Sequence, residues 1–351
     1  MQFGILSTPV HSAASSPELQ LAEHRELVST AQELGFDAIV AGQHFLGAEL
    51  RYYQPVPYLL YLSRFAPEMR LVTGILLLSL VNPVDVAEQV ATLDALSGGR
   101  AVLGVGLGYS DHEFAAFGID RRERVKRFEE GLDVIKALWS GDDVVHHGRY
   151  FAVEGAPPAV RPVQSPRPPI WIAGQTEKAV RRAARLGDAW YAPPFPSHDG
   201  LRELHACFAQ ERARSGLPPA TQFPVRRELL IASSSEHALR DAASRSAQRY
   251  ATYVKWGIGG DLDRSAGAFG PSDLDHVREH FILGEPEQCA EELARLRDDV
   301  GMTDFMFKPQ WPGLDHREAM RQLELFGTEV IPRLRDPAGA ADLSTQAKER
   351  A

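Results

Sequence analysis

The sequence predicts an α/β fold, a (β/α)8 barrel, and three observations carry that expectation. Short apolar runs alternate with longer amphipathic stretches over nearly all of the 351 residues. The runs are apolar throughout rather than alternating with polar residues, as in parallel strands covered on both faces. About eight such units fit the length, which favours a closed barrel and leaves an open doubly wound sheet as the rival.

In chain order, Gln2 to Leu6 reads as the first strand. Glu18 to Leu34 reads as a helix with Leu21, His24, Leu27, Val28, Ala31 and Leu34 on one stripe, ended by Gly35, which is free to turn left-handed. Asp37 to Ala41 is the second strand, Val56 to Phe65 a helix and Arg70 to Leu78 a buried third strand. Pro83 suits a first helical turn, and that helix runs to about Leu96. Ala101 to Gly106 is strand four, followed by a polar turn and a helix from Arg122 to Trp139. Pro169 to Ala173, Glu177 to Leu186 and Asp188 to Tyr191 continue as strand, helix and strand. Pro286 to Val300, Asp304 to Lys308 and His316 to Arg333 close the alternation.

Two stretches interrupt it. Val144 to Pro169, holding HHGRYF, reads as a small hairpin plus an extended crossing. Gly257 to Pro271 is glycine-rich without helical period; after strand seven it would be either a mobile lid on the catalytic face or a surface insertion. The expected organisation is one barrel domain over residues 1–335 and a frayed tail over 336–351.

The net charge of −9, with basic residues interspersed among acids, speaks against nucleic acid as a partner. Cys207 and Cys289 have no partner pattern, so neither a disulfide framework nor a metal site is expected. The start, MQFGILSTPV, does not read as a signal peptide, and the apolar run from Leu71 to Val81 is too short to span a bilayer. The expectation is a cytoplasmic protein that does not enter a membrane.

Three motifs could carry chemistry. GVGLGYSDHEF, from Gly104, lacks the third glycine of a dinucleotide fingerprint, which excludes a Rossmann site. Its glycines leave either a bare strand end for a flat ring or simple tight packing. In IWIAGQTEKAV, from Ile170, a strand runs through Gly174, Gln175 and Thr176 into a helix. Such an N-terminus is a ready anion site, or else an ordinary capped helix. QHF places His44 at a strand end, where barrels keep catalytic groups and where imidazole can exchange a proton near neutral pH; a structural histidine is the other reading. His146 and His147 would face opposite sides of a strand. Asp111, Glu113 and the pair Asp298–Asp299 read as solvated helix-end charge.

Taken together, VAGQHF, NPVDVAEQVATLDALSGGRAVLGVGLGYSDHEFAAFGID, RFEEGLDVIKALWSG, HGRYF, PRPPIWIAGQTEKAVRRAARLGDAW, ILGEPEQCAEEL and LFGTEVIPRLR resemble, in that order, the luciferase-like flavin-dependent monooxygenases and their deazaflavin-using relatives. The resemblance runs from Phe3 to about Arg335. It implies a barrel holding reduced FMN across its strand ends, with His44 as the active-site histidine. Leu78 and Ser79 would back the ring, and Asn82 and Gly106 to Tyr109 would line its sides. Gly174, Gln175 and Thr176 would hold the phosphate.

The implied chemistry is oxygenation of a small organic, apolar substrate with O2 and with FMNH2 from a separate flavin reductase, His44 stabilising the oxygenated flavin or shuttling its proton. The alternatives are hydride transfer with a deazaflavin and without O2, and a flavin-binding barrel without catalysis. Some flavin members carry an arginine where this chain has Leu107, which would move the phosphate contact to Thr176, Lys178 or Arg181. Many deazaflavin users carry a histidine where this chain has Asn82, which tilts the expectation to FMN. Leu46, Tyr52, Tyr53, Tyr58, Trp190, Phe195 and Trp256 form either a substrate pocket or ordinary packing, and the resemblance suggests a homodimer through the early helices.

Overall fold

The computed structural model describes residues 1–7, 15–46, 51–141, 143–244, 274–310 and 314–335. Gly257 to Pro271, Trp256 and the tail 336–351 lie outside the described residues. Eight parallel strands form the barrel: β1 (Gln2–Leu6), β2 (Ala38–Ala41), β3 (Arg70–Thr73), β4 (Ala101–Gly106), β5 (Ile170–Ala173), β6 (Ala189–Tyr191), β7 (Pro224–Arg226) and β8 (Asp304–Phe307). They are neighbours in the order β7, β8, β1, β2, β3, β4, β5, β6, and the bridge between Ala192 and Val225 joins the two ends. That settles the expected fold in favour of the barrel over the open sheet.

The helices that follow the strands are α1 (Pro17–Glu33), α2 (Pro55–Ser63), α3 (Pro83–Ser97), α4 (Arg124–Ser140), α5 (Glu177–Leu186), α6 (His198–Arg214), α7 (Pro286–Arg295) and α8 (His316–Leu325). Their ends follow local chemistry. Asn82 caps α3 through Val84 N–H ahead of Pro83, and Gly98 ends it at φ +70°. Thr176 caps α5 through Ala179 N–H. The last two segments read as single helices, up to Val300 and Arg333, pass instead through π-helical turns at Leu296–Val300 and Phe326–Val330.

Side-chain alternation fills the two sides of the barrel wall. Ala38, Val40, Val72, Val102, Trp171, Ala189, Tyr191 and Met306 pack inside the ring with Leu6. Phe3, Ile5, Ile39, Leu71, Leu103, Ile172 and Phe305 pack outward under the helices. Gly4 admits Met306: a Cβ there would stand 2.5 Å from its Sδ. Asp304 at the start of β8 accepts from Arg70 at 2.6 Å, and Arg70 lies over the Trp171 ring at 5.5 Å.

The third strand differs from the expectation. It stops at Thr73, passes a cis Gly74–Ile75 peptide, and resumes as Leu76–Leu77 beside Val105 and Gly106 of β4. Gln43 pins the break: its Oε1 accepts Leu77 N–H at 2.8 Å and its N–H donates to the Ile75 carbonyl at 3.2 Å. Gly74 is needed there, since a Cβ would lie 2.2 Å from Val40 Cγ1.

The expected hairpin is present as Val144–His147 against Ala152–Ala156. Its turn is gathered by the Glu130 carboxylate, which accepts the N–H groups of Arg149, Tyr150 and Phe151 at 3.1, 2.9 and 2.8 Å. The crossing that follows is tied down by buried Asp94, which accepts from the N–H groups of Val163 and Gln164. Among the described residues no helix is long and apolar enough to cross a membrane, and Cys207 and Cys289 are both free thiols.

Candidate active site

A cavity of about 530 Å³ opens at the C-terminal ends of the strands. Every barrel strand ends at this face, so each contributes the residues that follow it. His44, Gly106, Tyr109, Gly174, Gln175 and Thr176 all line it, brought together from the ends of β2, β4 and β5.

His44 is one-quarter exposed and stands in a built setting. Its Nδ1 lies 3.2 Å from Glu113 Oε1, its Nε2 lies 3.3 Å from the Tyr109 hydroxyl, and Tyr52 meets the ring edge-on at 4.9 Å. Glu113 is 3% exposed, and the same oxygen accepts Phe45 N–H at 2.8 Å. Glu113 is therefore not solvated helix-end charge, as its place in the first turn of Asp111–Ala116 suggested; the helix turns it inward to meet the β2 loop. Gln54 donates from Nε2 to the His44 carbonyl at 3.4 Å and takes a 2.6 Å bond from Gln43, so the QHF segment is fixed along its length.

Leu78, Ser79 and Asn82 are not part of the lining. The break in the third strand turns Leu78 into the core and leaves Gly74, Ile75 and Leu77 facing the cavity. Ser79 is fully buried and donates to the Arg124 carbonyl at 2.9 Å; Arg124 itself does line the cavity. Asn82 is spent on capping α3.

The two glycine readings divide by position. At Gly104 a Cβ would lie 1.9 Å from the Thr73 carbonyl oxygen, so this glycine serves close strand packing. At Gly106 it would meet the Ile75 side chain, at 2.1 Å from Cδ1, with Ala173 Cβ at 3.7 Å. Gly74 and Gly106 thus add no side chain of their own to the wall they share with Ile75.

The cavity's basic groups also differ from the expectation. Lys178 and Arg181 do not line it; Arg181 is drawn to Glu177 and Glu211 at 2.8 and 3.2 Å. Arg121 and Arg124, which follow β4, stand at the cavity instead, beside Leu107 and the turn leading into α5. Of the aromatic candidates, Tyr52 and Phe195 reach the cavity. Tyr53 stacks on Tyr58 at 5.4 Å, Trp190 stacks on Phe223 at 5.4 Å, and Leu46 is 63% exposed.

The loop after β6, with Pro193, Pro194 and Phe195 at the cavity, is held by fully buried Arg227. Arg227 donates to the carbonyls of Pro193 and Ser197, both at 3.4 Å, and burial pulls its guanidinium down to about 10. Among the described residues no group of three or more His, Cys, Asp or Glu is arranged to hold a metal.

A barrel with its polar cluster at the strand ends and a cavity beside a basic turn defines a luciferase-like scaffold. The chain belongs to the luciferase-like monooxygenase family, whose pattern matches residues 1–304. It is similar to the FMNH(2)-dependent dimethylsulfone monooxygenase of Pseudomonas putida, 26% identical over 73% of this chain and 71% of that protein. It is equally similar to the F420-dependent glucose-6-phosphate dehydrogenase of Beutenbergia cavernae, 27% identical over 87% of this chain and 91% of that one. The solved structure of monooxygenase RslO1 from Streptomyces bottropensis superposes with a TM-score of 0.82 at 24% identity, covering 95% of this chain and 99% of that one. The family therefore includes both FMNH2-dependent monooxygenases and F420-dependent dehydrogenases.

Proposed function

We propose that the protein is a flavin-dependent monooxygenase that takes FMNH2 from a separate reductase and places one atom of O2 in a small organic substrate, the other atom leaving as water. The observation that carries this reading is the His44–Glu113–Tyr109 cluster in a cavity whose wall is formed by Gly74, Ile75 and Gly106. The residues fit the cofactor. A Cβ at Gly106 would displace the Ile75 side chain from the cavity lining, and Arg121, Arg124 and the N-terminus of α5 stand at the cavity to meet a phosphate.

When bound, reduced FMN supplies two electrons and the oxygen-activating ring carbon. The chain's own groups do the rest. Gly74, Ile75, Leu77 and Gly106 shape the seat, and Thr176 adds its hydroxyl to the phosphate end. With Nδ1–H donated to Glu113, His44 presents Nε2 to the cavity, where it holds or gives up a proton beside the Tyr109 hydroxyl. Glu113 fixes the ring orientation, and Tyr52, Pro193 and Phe195 cover the seat with apolar surface that excludes water.

The reading carries with it a homodimer, a cytoplasmic setting and a single barrel domain. Its rival is deazaflavin-dependent hydride transfer, favoured by the F420-using relative and no longer opposed by Asn82, which lies outside the cavity. Anaerobic titration with FMN, FMNH2 and a deazaflavin separates the two. Tightest binding of FMNH2, followed by substrate-dependent oxygen uptake, is expected. Preference for the deazaflavin with no oxygen uptake would replace the oxygenase by a dehydrogenase. His44→Ala should abolish turnover while FMN still binds.

A further inference from the structure

Several polar side chains at the cavity are already engaged within the chain. Gln43 is bonded to Gln54 and to Leu77 N–H, His44 to Glu113 and Tyr109, Arg226 to Glu228, and Thr176 to Ala179 N–H. Tyr191 differs. It lines the same cavity, and its buried hydroxyl has no hydrogen-bond partner among the described residues.

Tyr191 ends β6, and its ring packs into the barrel interior with Val40, Trp171 and Met306 at only 5% exposure. It therefore stands where the filled interior meets the cavity. The ring borders the break in the third strand: a Cβ built on Gly74 would lie 3.2 Å from Tyr191 Cε1 and 3.7 Å from the hydroxyl oxygen. A group resting on Gly74 thus lies beside this hydroxyl. Burial pushes the phenol up to about 12, with Arg226 drawing it back and Glu228 adding to the rise, so near neutral pH it keeps its proton and can donate.

A buried hydroxyl without an acceptor is a net cost to the fold. Phenylalanine would fill the same space, so packing alone does not call for the oxygen. An acceptor brought by a ligand would. Reduced FMN offers one, because the pyrimidine edge of its ring holds carbonyl oxygens and a nitrogen that carries negative charge near neutral pH. In the oxidised ring the same edge is neutral. A hydrogen bond to a charged acceptor is roughly twice as strong as one to a neutral acceptor.

We propose that the Tyr191 hydroxyl donates to the pyrimidine edge of the flavin and thereby favours the reduced over the oxidised cofactor. This deepens, and rests on, the reading of Gly74, Ile75, Leu77 and Gly106 as a flavin seat. A protein that collects its cofactor reduced and gives it up oxidised needs such a difference in affinity.

Anaerobic titrations of oxidised and reduced FMN into wild type and Tyr191→Phe test this, together with thermal melts of both proteins without cofactor. Tyr191→Phe should bind reduced FMN about tenfold more weakly and oxidised FMN no more than about threefold more weakly, which narrows the preference. Without cofactor the variant should melt no lower than wild type and up to about 3 °C higher, since it loses only an unpaired polar atom.

An equal loss for both redox states, or no loss for either, overturns the proposal. So does a lower melting point without cofactor, which would show the hydroxyl bonded within the chain. Should Tyr191→Phe fail to fold, wild type decides: preference for reduced FMN supports the proposal and equal affinity overturns it. Failure of wild type to bind either form of FMN would sink the oxygenase reading instead. The same titrations with a deazaflavin, whose pyrimidine edge is the same, would then still test the hydroxyl.

Discussion

Gly104 and Gly106 occupy the same face of β4 two residues apart, and replacing each by alanine should produce opposite phenotypes. At Gly104 the new methyl would sit 1.9 Å from a backbone oxygen of Thr73, which cannot turn away. The same contact carries a reciprocal pair of bonds, Thr73 Oγ1 to the Gly104 carbonyl at 2.8 Å and Gly104 N–H to Thr73 Oγ1 at 2.9 Å. Overpacking of this kind costs about 1–3 kcal/mol, and loss of the two bonds adds about 1 kcal/mol each. Gly104→Ala should therefore lower stability by roughly 3–5 kcal/mol, a fall in Tm of about 4–7 °C for a chain of this size.

At Gly106 the clash is with the tip of Ile75, which can rotate aside, so the melting point should move by no more than about 2 °C. The methyl would push Ile75, a residue of the cavity lining, out of place, and on the proposed reading a lost close contact, about 1–2 kcal/mol, would weaken FMN by roughly 5- to 30-fold. Thermal melts and anaerobic FMN titrations of both variants read the two effects independently. If Gly106→Ala bound FMN like wild type while Gly104→Ala melted like wild type, the division of the two glycines between seat and packing would be wrong.

Glu113→Gln should leave FMN binding within a few-fold but slow product formation by roughly 10- to 100-fold, the worth of one charge-assisted bond. Combined with His44→Ala it should cost little more than His44→Ala alone, and full additivity in that double-mutant cycle would show the two residues acting separately. Glu130 predicts an acid limb in stability. Burial alone would raise its carboxyl, but the N–H groups of Tyr150 and Phe151, with His146 and Arg149 N–H, hold it below the ordinary 4.5. A depressed folded value means full stabilisation above the unfolded value, lost as pH falls through the folded one. Glu130→Gln should melt about 2–4 °C below wild type at neutral pH and converge with it as pH falls through the lowered carboxyl value; a gap that stays constant into acid would refute the carboxylate's role.

The barrel was readable because its strands are continuous apolar runs and its helices carry explicit boundary residues, Gly35 at an end and Pro83 at a start. The break after Thr73 was not, because an apolar run looks the same whether it keeps both neighbours or, past a break, pairs with β4 alone. His44 was visible from its place at a strand end. Its partner Glu113 was hidden, 69 residues away in a helix turn where acids usually sit in solvent. Arg124 was missed for a similar reason: basic groups were sought on the helix that follows the glycine turn, whereas the fold brings Arg121 and Arg124 to the cavity from the preceding unit. Arg226 and Lys308, which also line the cavity, gave no local signal, since only closure of the ring sets the ends of β7 and β8 facing one cavity.

The stacked interior of the ring, with Trp171, Val72, Val102, Ala189 and Met306 filling the space beneath the strand ends, closes the barrel axis as a route to the cavity. Whatever binds in the cavity therefore comes and goes on the strand-end side, past loops that can change without disturbing the plugged floor that holds the barrel together.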